Sequence, residues 1–277
     1  MRHPFLAGTA ALALSLAAST APAKTGSFNF STDTCKHDYS TPYDVDVTDA
    51  GLSFHRTDGT PARIFLHDGD LRVDGKEVTV SRADADALRR YEDGVRRLMP
   101  QVADIAREGI QMGFSAMTSV TLTFADGDKR AGMLEKLKRK QAQALREVDE
   151  GIGAGHWSSD RMTETVAGSV TDSVGELVGS VTSSAVAAAL SGDSGKVAAL
   201  QARAEALDKT LDREMDKRSH ALDAKTAKIC PQLDDLAALQ RGWGIRLSDG
   251  KPLELMTIKP KHDKDDDEDA HKKVASP

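Results

Sequence analysis

The sequence predicts an α+β fold: a small N-terminal antiparallel β-meander, then long antiparallel α-helices, with one disulfide. Three observations predict it. Short alternating segments separated by Asp-Gly pairs extend to residue 80, apolar residues recur at spacings of three and four from residue 81, and two cysteines lie far apart in the chain. Aromatic residues make up only 4% of the 277 residues, which suits stacked helices better than a β-sandwich.

Residues 1–23 have the pattern of a cleaved secretory signal peptide. Arg2 and His3 precede an apolar run from Phe5 to Ala18, and Ala21-Pro22-Ala23 forms a cleavage site. The run is shorter than the roughly 20 apolar residues that a membrane span needs. We therefore expect an exported protein without a transmembrane segment in its mature chain.

The net charge argues against a nucleic-acid partner, and the two cysteines predict a disulfide. The formal net charge of −6 becomes −7 when the one charge of Arg2 is removed, whereas nucleic-acid binding needs a basic face, so we expect no nucleic-acid partner. Cys35 and Cys230 are an even pair in an exported chain, which predicts a disulfide. The alternative, a catalytic or metal-binding thiol, lacks a C-x-x-C motif and a histidine near Cys230.

Residues 24–80 are predicted to form the β-meander. After a short strand candidate at Phe28–Phe30, alternating segments at 43–47, 52–56, 63–67, 71–73 and 77–80 predict five strands. The pairs Asp58-Gly59, Asp68-Gly69 and Asp74-Gly75 suit the turns between them, because Asp and Gly tolerate positive φ. One face of such a sheet needs a helix to cover it.

Residues 81–241 are predicted to form a helical region packed on the meander. Ser81 and Asp84 match a capping box, and the first helix is expected to kink or restart at Pro100, with residues 120–124 ambiguous between helix and strand. Further helices are predicted at about 129–150, 160–190 and 196–241, the last interrupted by Pro231. Beyond them, residues 242–258 are a candidate hairpin around Asp249-Gly250, and residues 259–277 a disordered, charged tail.

The arrangement resembles a known family. An exported chain has a cysteine before a meander containing IFLHDGDLRVDGKEVTVS, a capped helix ADADALRRYEDGVRRLMPQV, and a second cysteine in the last long helix. Over roughly residues 33–235 it resembles the YggN-like family of bacterial periplasmic proteins of unknown function. The resemblance implies a periplasmic location and supports the Cys35–Cys230 pairing. It carries over no catalytic residue, and the chain after Trp243 has no counterpart.

Residues 168–190, GSVTDSVGELVGSVTSSAVAAAL, carry little charge yet do not suit a membrane span. Glu176 and Asp193 bracket only sixteen uncharged residues, many of them Gly, Ser or Thr. A helical projection predicts one stripe that faces the core; it comprises Val170, Val174, Leu177, Val181, Ala185 and Ala188. A candidate packing groove for another helix, from this chain or a second copy, lies opposite and is formed by Gly168, Gly175 and Gly179.

No residues are predicted to be catalytic, cofactor-binding or metal-binding. The acidic run Asp265–Asp269, with His262 and His271 beside it, lacks the fixed geometry of a metal site, and a solvated tail explains it better. The stretch from His156 to Asp160 holds the residue types of a Ser–His–Asp triad, but neighbours in sequence rarely supply one. A basic cluster is more simply a solvated helix face than a lipid-binding site; it comprises Lys136, Lys138, Arg139 and Lys140.

Three functional hypotheses follow. The first is a non-enzymatic, chaperone-like binding protein that acts through helical surfaces on an envelope protein or as a homo-oligomer, with no cofactor. The second is a periplasmic hydrolase or ligand-binding enzyme with a site between sheet and helices, which would gather residues such as His55, His67 or His156. The third is a peripheral protein of the envelope surface.

Overall fold

The computed structural model of the protein describes most of the chain. It covers residues 28–30, 32, 34–125, 127–158 and 192–261, together with residues 174–175, 178–179, 182–183, 186 and 190. The predicted signal peptide and the acidic part of the tail lie outside these residues.

The described strands form two antiparallel sheets. The smaller sheet has the order β1-β2-β9, where β1 is Phe28–Phe30, β2 is His37–Thr41 and β9 is Thr257–Pro260. The larger sheet has the order β7-β6-β5-β4-β3-β8. Its strands are β3 (Asp44–Thr48), β4 (Gly51–His55), β5 (Arg63–His67), β6 (Asp70–Val73), β7 (Lys76–Val78) and β8 (His156–Trp157).

The predicted meander is confirmed, and its turns explain its shape. Asp68 and Asp74 both have positive φ, 46° and 49°, and each is followed by a glycine with positive φ, as two-residue hairpins between right-twisted strands require. Asp58-Gly59 lies instead in a longer connection between β4 and β5. Side chains alternate along the strands, so that one face is buried; its members include Val45, Leu52, Phe54, Ile64, Leu66 and Leu71.

In the described part of the chain, three long helices follow the meander: α1 (Arg82–Phe124), α2 (Gly127–Glu150) and α3 (Ser194–Gly242). The side chain of Ser81 caps α1 by accepting a hydrogen bond from the amide of Asp84. Pro100 and Pro231 both lie inside continuous helices, so α1 does not restart at Pro100 and α3 is not interrupted at Pro231. A proline costs a helix interior about 3 kcal/mol. Buried neighbours on each side of both prolines hold the helices in place; they are Leu98, Met99, Ala103, Ile229, Cys230 and Leu233.

Helix α1 covers the larger sheet and is flanked by the other two helices. It runs antiparallel to α3, since Gln101 hydrogen-bonds Gln232 and Glu108 pairs with Lys225 at 3.0 Å. It also runs antiparallel to α2, whose end is tied to it by a 2.7 Å bond between Arg107 Nε and Asp149 Oδ1. A short 3₁₀ turn at Ile152–Ala154 then leads into the edge strand β8.

The C-terminal segment completes the core. Backbone bonds join Leu253 to Ile245 and Leu247 to Lys251 on the two sides of Gly250. Strand β9 then pairs with β2, so the chain returns to residues more than 200 positions earlier. Trp243, Ile245, Leu253, Leu255 and Met256 are all buried.

Glu92 anchors the β5–β6 turn to α1. Only 6% of this residue is exposed, and its carboxylate accepts hydrogen bonds from Arg96 at 2.6 Å and from the amide of Asp68 at 3.0 Å. Burial alone would raise the pKa of Glu92, but the hydrogen bonds from Arg96 and Asp68 outweigh it and hold this pKa below its usual value.

Replacing Glu92 by Gln should lower the free energy of unfolding at pH 7 by about 1–3 kcal/mol, because a buried, charge-assisted bond to Arg96 is lost. Since the pKa of Glu92 is lower in the folded state, its contribution is complete above the unfolded value near 4.5 and is lost as the pH falls through the folded value. Urea unfolding at pH 7 and pH 3 measures this. Asp93→Asn, at the exposed neighbour, is the control and should change neither curve. A deficit for Glu92→Gln that is equal at both pH values would contradict the assignment.

Candidate functional site

The predicted disulfide is present and joins the small sheet to α3. Cys35 and Cys230, separated by 195 residues, are bonded, with their Cα atoms 5.5 Å apart. Beside the bond, Tyr39 Oη on β2 donates to Asp234 Oδ1 at 2.7 Å, and His37 Nδ1 lies 3.2 Å from the same oxygen. Burial and the Asp234 carboxylate both raise the pKa of Tyr39 above its usual value, so the donor stays protonated. Both cysteines therefore serve the scaffold.

Helix α3 extends beyond the body of the protein as an arm. In the antiparallel pairing, Glu108 matches Lys225 and Gln101 matches Gln232, so Phe124 at the end of α1 matches a position near 209. Roughly the first 15 residues of α3, about 22 Å of helix, thus continue past α1. Burial along α3 changes accordingly: Leu200 and Leu207 are half-buried, whereas Ile229 and Leu233 are buried. We call residues 194–208 the arm.

Exposed aliphatic side chains concentrate at and just before the arm. Among the described residues, six large aliphatic side chains are exposed, and five of them lie between positions 174 and 197. Leu190 is 83% exposed and Val178 57%. The sixth is Leu122, near the end of α1. We call the five the exposed aliphatic set: Val174, Val178, Val186, Leu190 and Val197.

The predicted glycine groove lies in the same region. Gly175 and Gly179 are helical and exposed, and a Cβ added at either would meet no atom within 4 Å. Gly168 lies outside the described residues, as do five members of the predicted stripe: Val170, Leu177, Val181, Ala185 and Ala188. Val174, the stripe member whose side chain is described, is exposed rather than facing the core. That another helix packs in this groove stays a prediction.

No helix that the structure describes has a stretch apolar and long enough to cross a membrane.

The enzyme hypothesis named three histidines, and two of them, His55 and His156, lie close together on the outer face of the larger sheet. Asp46 on β3 lies between them: His156 Nδ1 is 2.8 Å from its Oδ1, and His55 Nδ1 is 3.4 Å from its Oδ2. His55 Nε2 also lies 3.6 Å from Asp44 Oδ2. His156 therefore pairs with Asp46. Ser159 and Asp160, the other members of the triad-like stretch, lie outside the described residues. Within the described chain, no group of three or more His, Cys, Asp or Glu residues is arranged to hold a metal ion.

A cavity of about 90 Å³ does lie between the sheets and the helices, but the histidines do not line it. His67, at the end of β5, lies outside this lining, with its Nδ1 atom 3.6 Å from Glu92 Oε1. The cavity walls are almost wholly apolar, and the ionisable residues among them are Tyr39 and Tyr91. Ser40 and Thr41 also contribute to the walls, but the described lining contains no His, Asp, Glu, Lys or Cys that could activate a hydroxyl as a nucleophile.

An open cleft of about 1120 Å³ separates the N-terminal half of α1 from the C-terminal half of α3. Arg90 and Arg97 line it together with Asp93 and Asp235. Because both signs of charge are present, the cleft selects no single charge class of ligand.

The remaining predicted residues give no site. On α2, Arg139 lies 3.8 Å from Glu135, and Lys136 and Lys140 also have interaction partners, so the basic cluster is a partly paired helix face. The acidic run at 265–269 and its flanking histidines lie outside the described residues. Sequence reasoning did not single out Val178, Val186 or Leu190, although the low charge between Glu176 and Asp193 was a signal for them.

Comparison with known proteins identifies a family whose function is unknown. A family model described as a protein of unknown function (DUF2884) matches residues 38–256, which is well over half of the chain. No curated protein and no solved structure matches the chain.

Proposed function

Because the chain belongs to the DUF2884 family, whose function is unknown, we propose from its own surface that it is a non-enzymatic, chaperone-like binding protein of the cell envelope. The exposed aliphatic set carries this proposal. In the described residues, every large aliphatic side chain outside this set is buried or half-buried, with the exception of Leu122. Exposed aliphatic side chains concentrated in one segment of a chain this charged suit a surface that another polypeptide covers.

The shape of α3 supports the same function. The arm extends past α1 and exposes Val197, while its other side chains are mostly charged or small. An apolar strip bordered by charge binds apolar segments of a partner by burial, and the charges keep the free protein dispersed. We propose an unfolded or partly folded envelope protein as the partner, and a second copy of this chain as the alternative.

The location belongs to the proposal. The signal-peptide pattern of residues 1–23 supports export, and the Cys35–Cys230 bond suits an oxidising compartment such as the periplasm. We also propose that the family is the YggN-like one that the sequence resembles.

The triple variant Val186→Ser, Leu190→Ser, Val197→Ser should lose at least tenfold in affinity for an unfolded partner, because burying each of these side chains contributes about 1 kcal/mol or more. Light scattering measures this as suppression of aggregation when a chemically denatured envelope protein is diluted into buffer with the mature chain. Since all three positions are exposed, the far-UV circular dichroism of the variant should match that of the wild type.

Leu122→Ser is the matched control, because Leu122 is equally an exposed aliphatic side chain but lies on α1. It should suppress aggregation as well as the wild type does. Equal activity of the wild type and the triple variant would contradict the role of the exposed aliphatic set. A wild-type chain that suppresses no aggregation, and stays monomeric by light scattering after gel filtration, would contradict the chaperone-like function itself.

A further inference from the structure

The cavity between the sheets lies where the two sheets separate. Consecutive strands β2 and β3 belong to different sheets, so the chain leaves one and enters the other between Thr41 and Asp44. Thr41 and Tyr39 line one side of the cavity, and Val45, Phe54 and Trp157 line the other. Residues of α1 and α3 cover it; they include Tyr91, Val95, Met99, Val102 and Leu233. The cavity is open to solvent on one side, so a molecule can enter without unfolding the core.

Tyr91 is a buried residue that lines the cavity and carries a hydroxyl group. It is only 3% exposed, yet its hydroxyl forms no hydrogen bond with any residue that the structure describes. Tyr39, by contrast, donates its hydroxyl to Asp234. Burial raises the pKa of Tyr91 above its usual value, so the phenol is neutral and available as donor and acceptor. A ligand oxygen that reaches this hydroxyl gains a hydrogen bond there.

We propose that this cavity binds a small apolar molecule, of about the size of one six-membered ring, that carries one oxygen able to hydrogen-bond with Tyr91. Size and lining set the ligand class. An apolar cavity of about 150 Å³ holds benzene, and this one offers about 90 Å³ with an open side through which the rest of the ligand projects. The site is separate from the arm and does not depend on the proposed function.

Phenol and benzene are the matched probes, because they differ by the one hydroxyl that Tyr91 would pair with. Labelling the methionine methyl groups with ¹³C provides reporters inside the protein, since Met99 and Met256 line the cavity. Met133 on α2 and Met215 on α3 lie outside this lining and serve as internal controls. Phenol should shift the Met99 and Met256 signals of the mature chain saturably, and leave those of Met133 and Met215 unchanged.

Two variants locate the contact. Tyr91→Phe keeps the ring and should weaken phenol binding about five- to tenfold, with benzene binding unchanged. Val102→Phe fills a half-buried position of the lining and should abolish binding of both probes. Val78→Phe, half-buried on β7 and outside the lining, is its control and should bind as the wild type does.

Each other outcome overturns part of the proposal. No saturable shift at Met99 or Met256 in the folded wild type would remove the site. Equal phenol affinities of the wild type and Tyr91→Phe would remove the role of the hydroxyl. Undiminished binding to a folded Val102→Phe variant would place the probes elsewhere; if that variant does not fold, the methyl shifts of the wild type decide the location.

Discussion

A chain that ends at Gly244 will not fold, whereas one that ends at Lys261 will be as stable as the full-length protein. The longer chain keeps Ile245, Leu253, Leu255 and Met256, which are buried, together with strand β9. Burying one such side chain contributes about 1.5–3 kcal/mol, so the four together contribute about 6–12 kcal/mol. A domain has a total stability of only about 5–15 kcal/mol.

Removing residues after Gly244 also leaves Trp243 and Gln240 without their hydrogen-bond partners in that segment. Trp243 Nε1 donates to the carbonyl of Leu253, and Gln240 bonds the backbone of Leu255 and Met256. Urea unfolding followed by circular dichroism compares the two truncated chains with the mature protein. A cooperative transition in the chain ending at Gly244 would contradict the role of the segment, and a lowered midpoint in the chain ending at Lys261 would show that the tail stabilises the fold.

Removing the disulfide by the double substitution Cys35→Ala, Cys230→Ala should lower the free energy of unfolding by about 2–5 kcal/mol. The bond closes a loop across 195 residues, and the chain-entropy model gives about 5 kcal/mol for a loop of that length, as an upper value. Both cysteines are buried, so alanine fits each position without exposing new surface. The difference is read from urea midpoints of the oxidised wild type and the variant.

A reducing agent provides the control. Reduced wild type should unfold at about the midpoint of the double variant, while the variant itself should unfold identically with and without the reductant. Coincident midpoints for the oxidised wild type and the double variant would contradict a stabilising role for the bond.

Local signals in the sequence predicted the elements well. Asp-Gly pairs at 68–69 and 74–75 fix two turns because the conformation they need is local to two residues. The capping role of Ser81 is equally local. The interruption predicted at Pro231 was wrong. The cost of a proline is local, about 3 kcal/mol, whereas the packing that outweighs it comes from distant parts of the chain.

Long-range pairing and surface exposure were the parts that the sequence did not reveal. Strand β2 contains one fully buried side chain, Tyr39, among polar residues, and it becomes a strand because β9 pairs with it across more than 200 positions. The cavity beside Tyr91 is lined by residues from both sheets and from α1 and α3, and no residue pattern brings these distant segments together. Val178 and Leu190 are aliphatic like many core residues, and only the position of their helix relative to the body exposes them.

The most direct test of the proposed function is site-specific photo-cross-linking in living cells that express the chain with residues 1–23, its predicted signal peptide. A photoreactive amino acid is placed at Leu190 in one strain and at Leu122 in another, since both are exposed aliphatic positions. We expect Leu190 to form adducts with unfolded envelope proteins, or with a second copy of the chain, and Leu122 to form none. Adducts of equal yield at both positions, or none at Leu190, would contradict binding through the exposed aliphatic set.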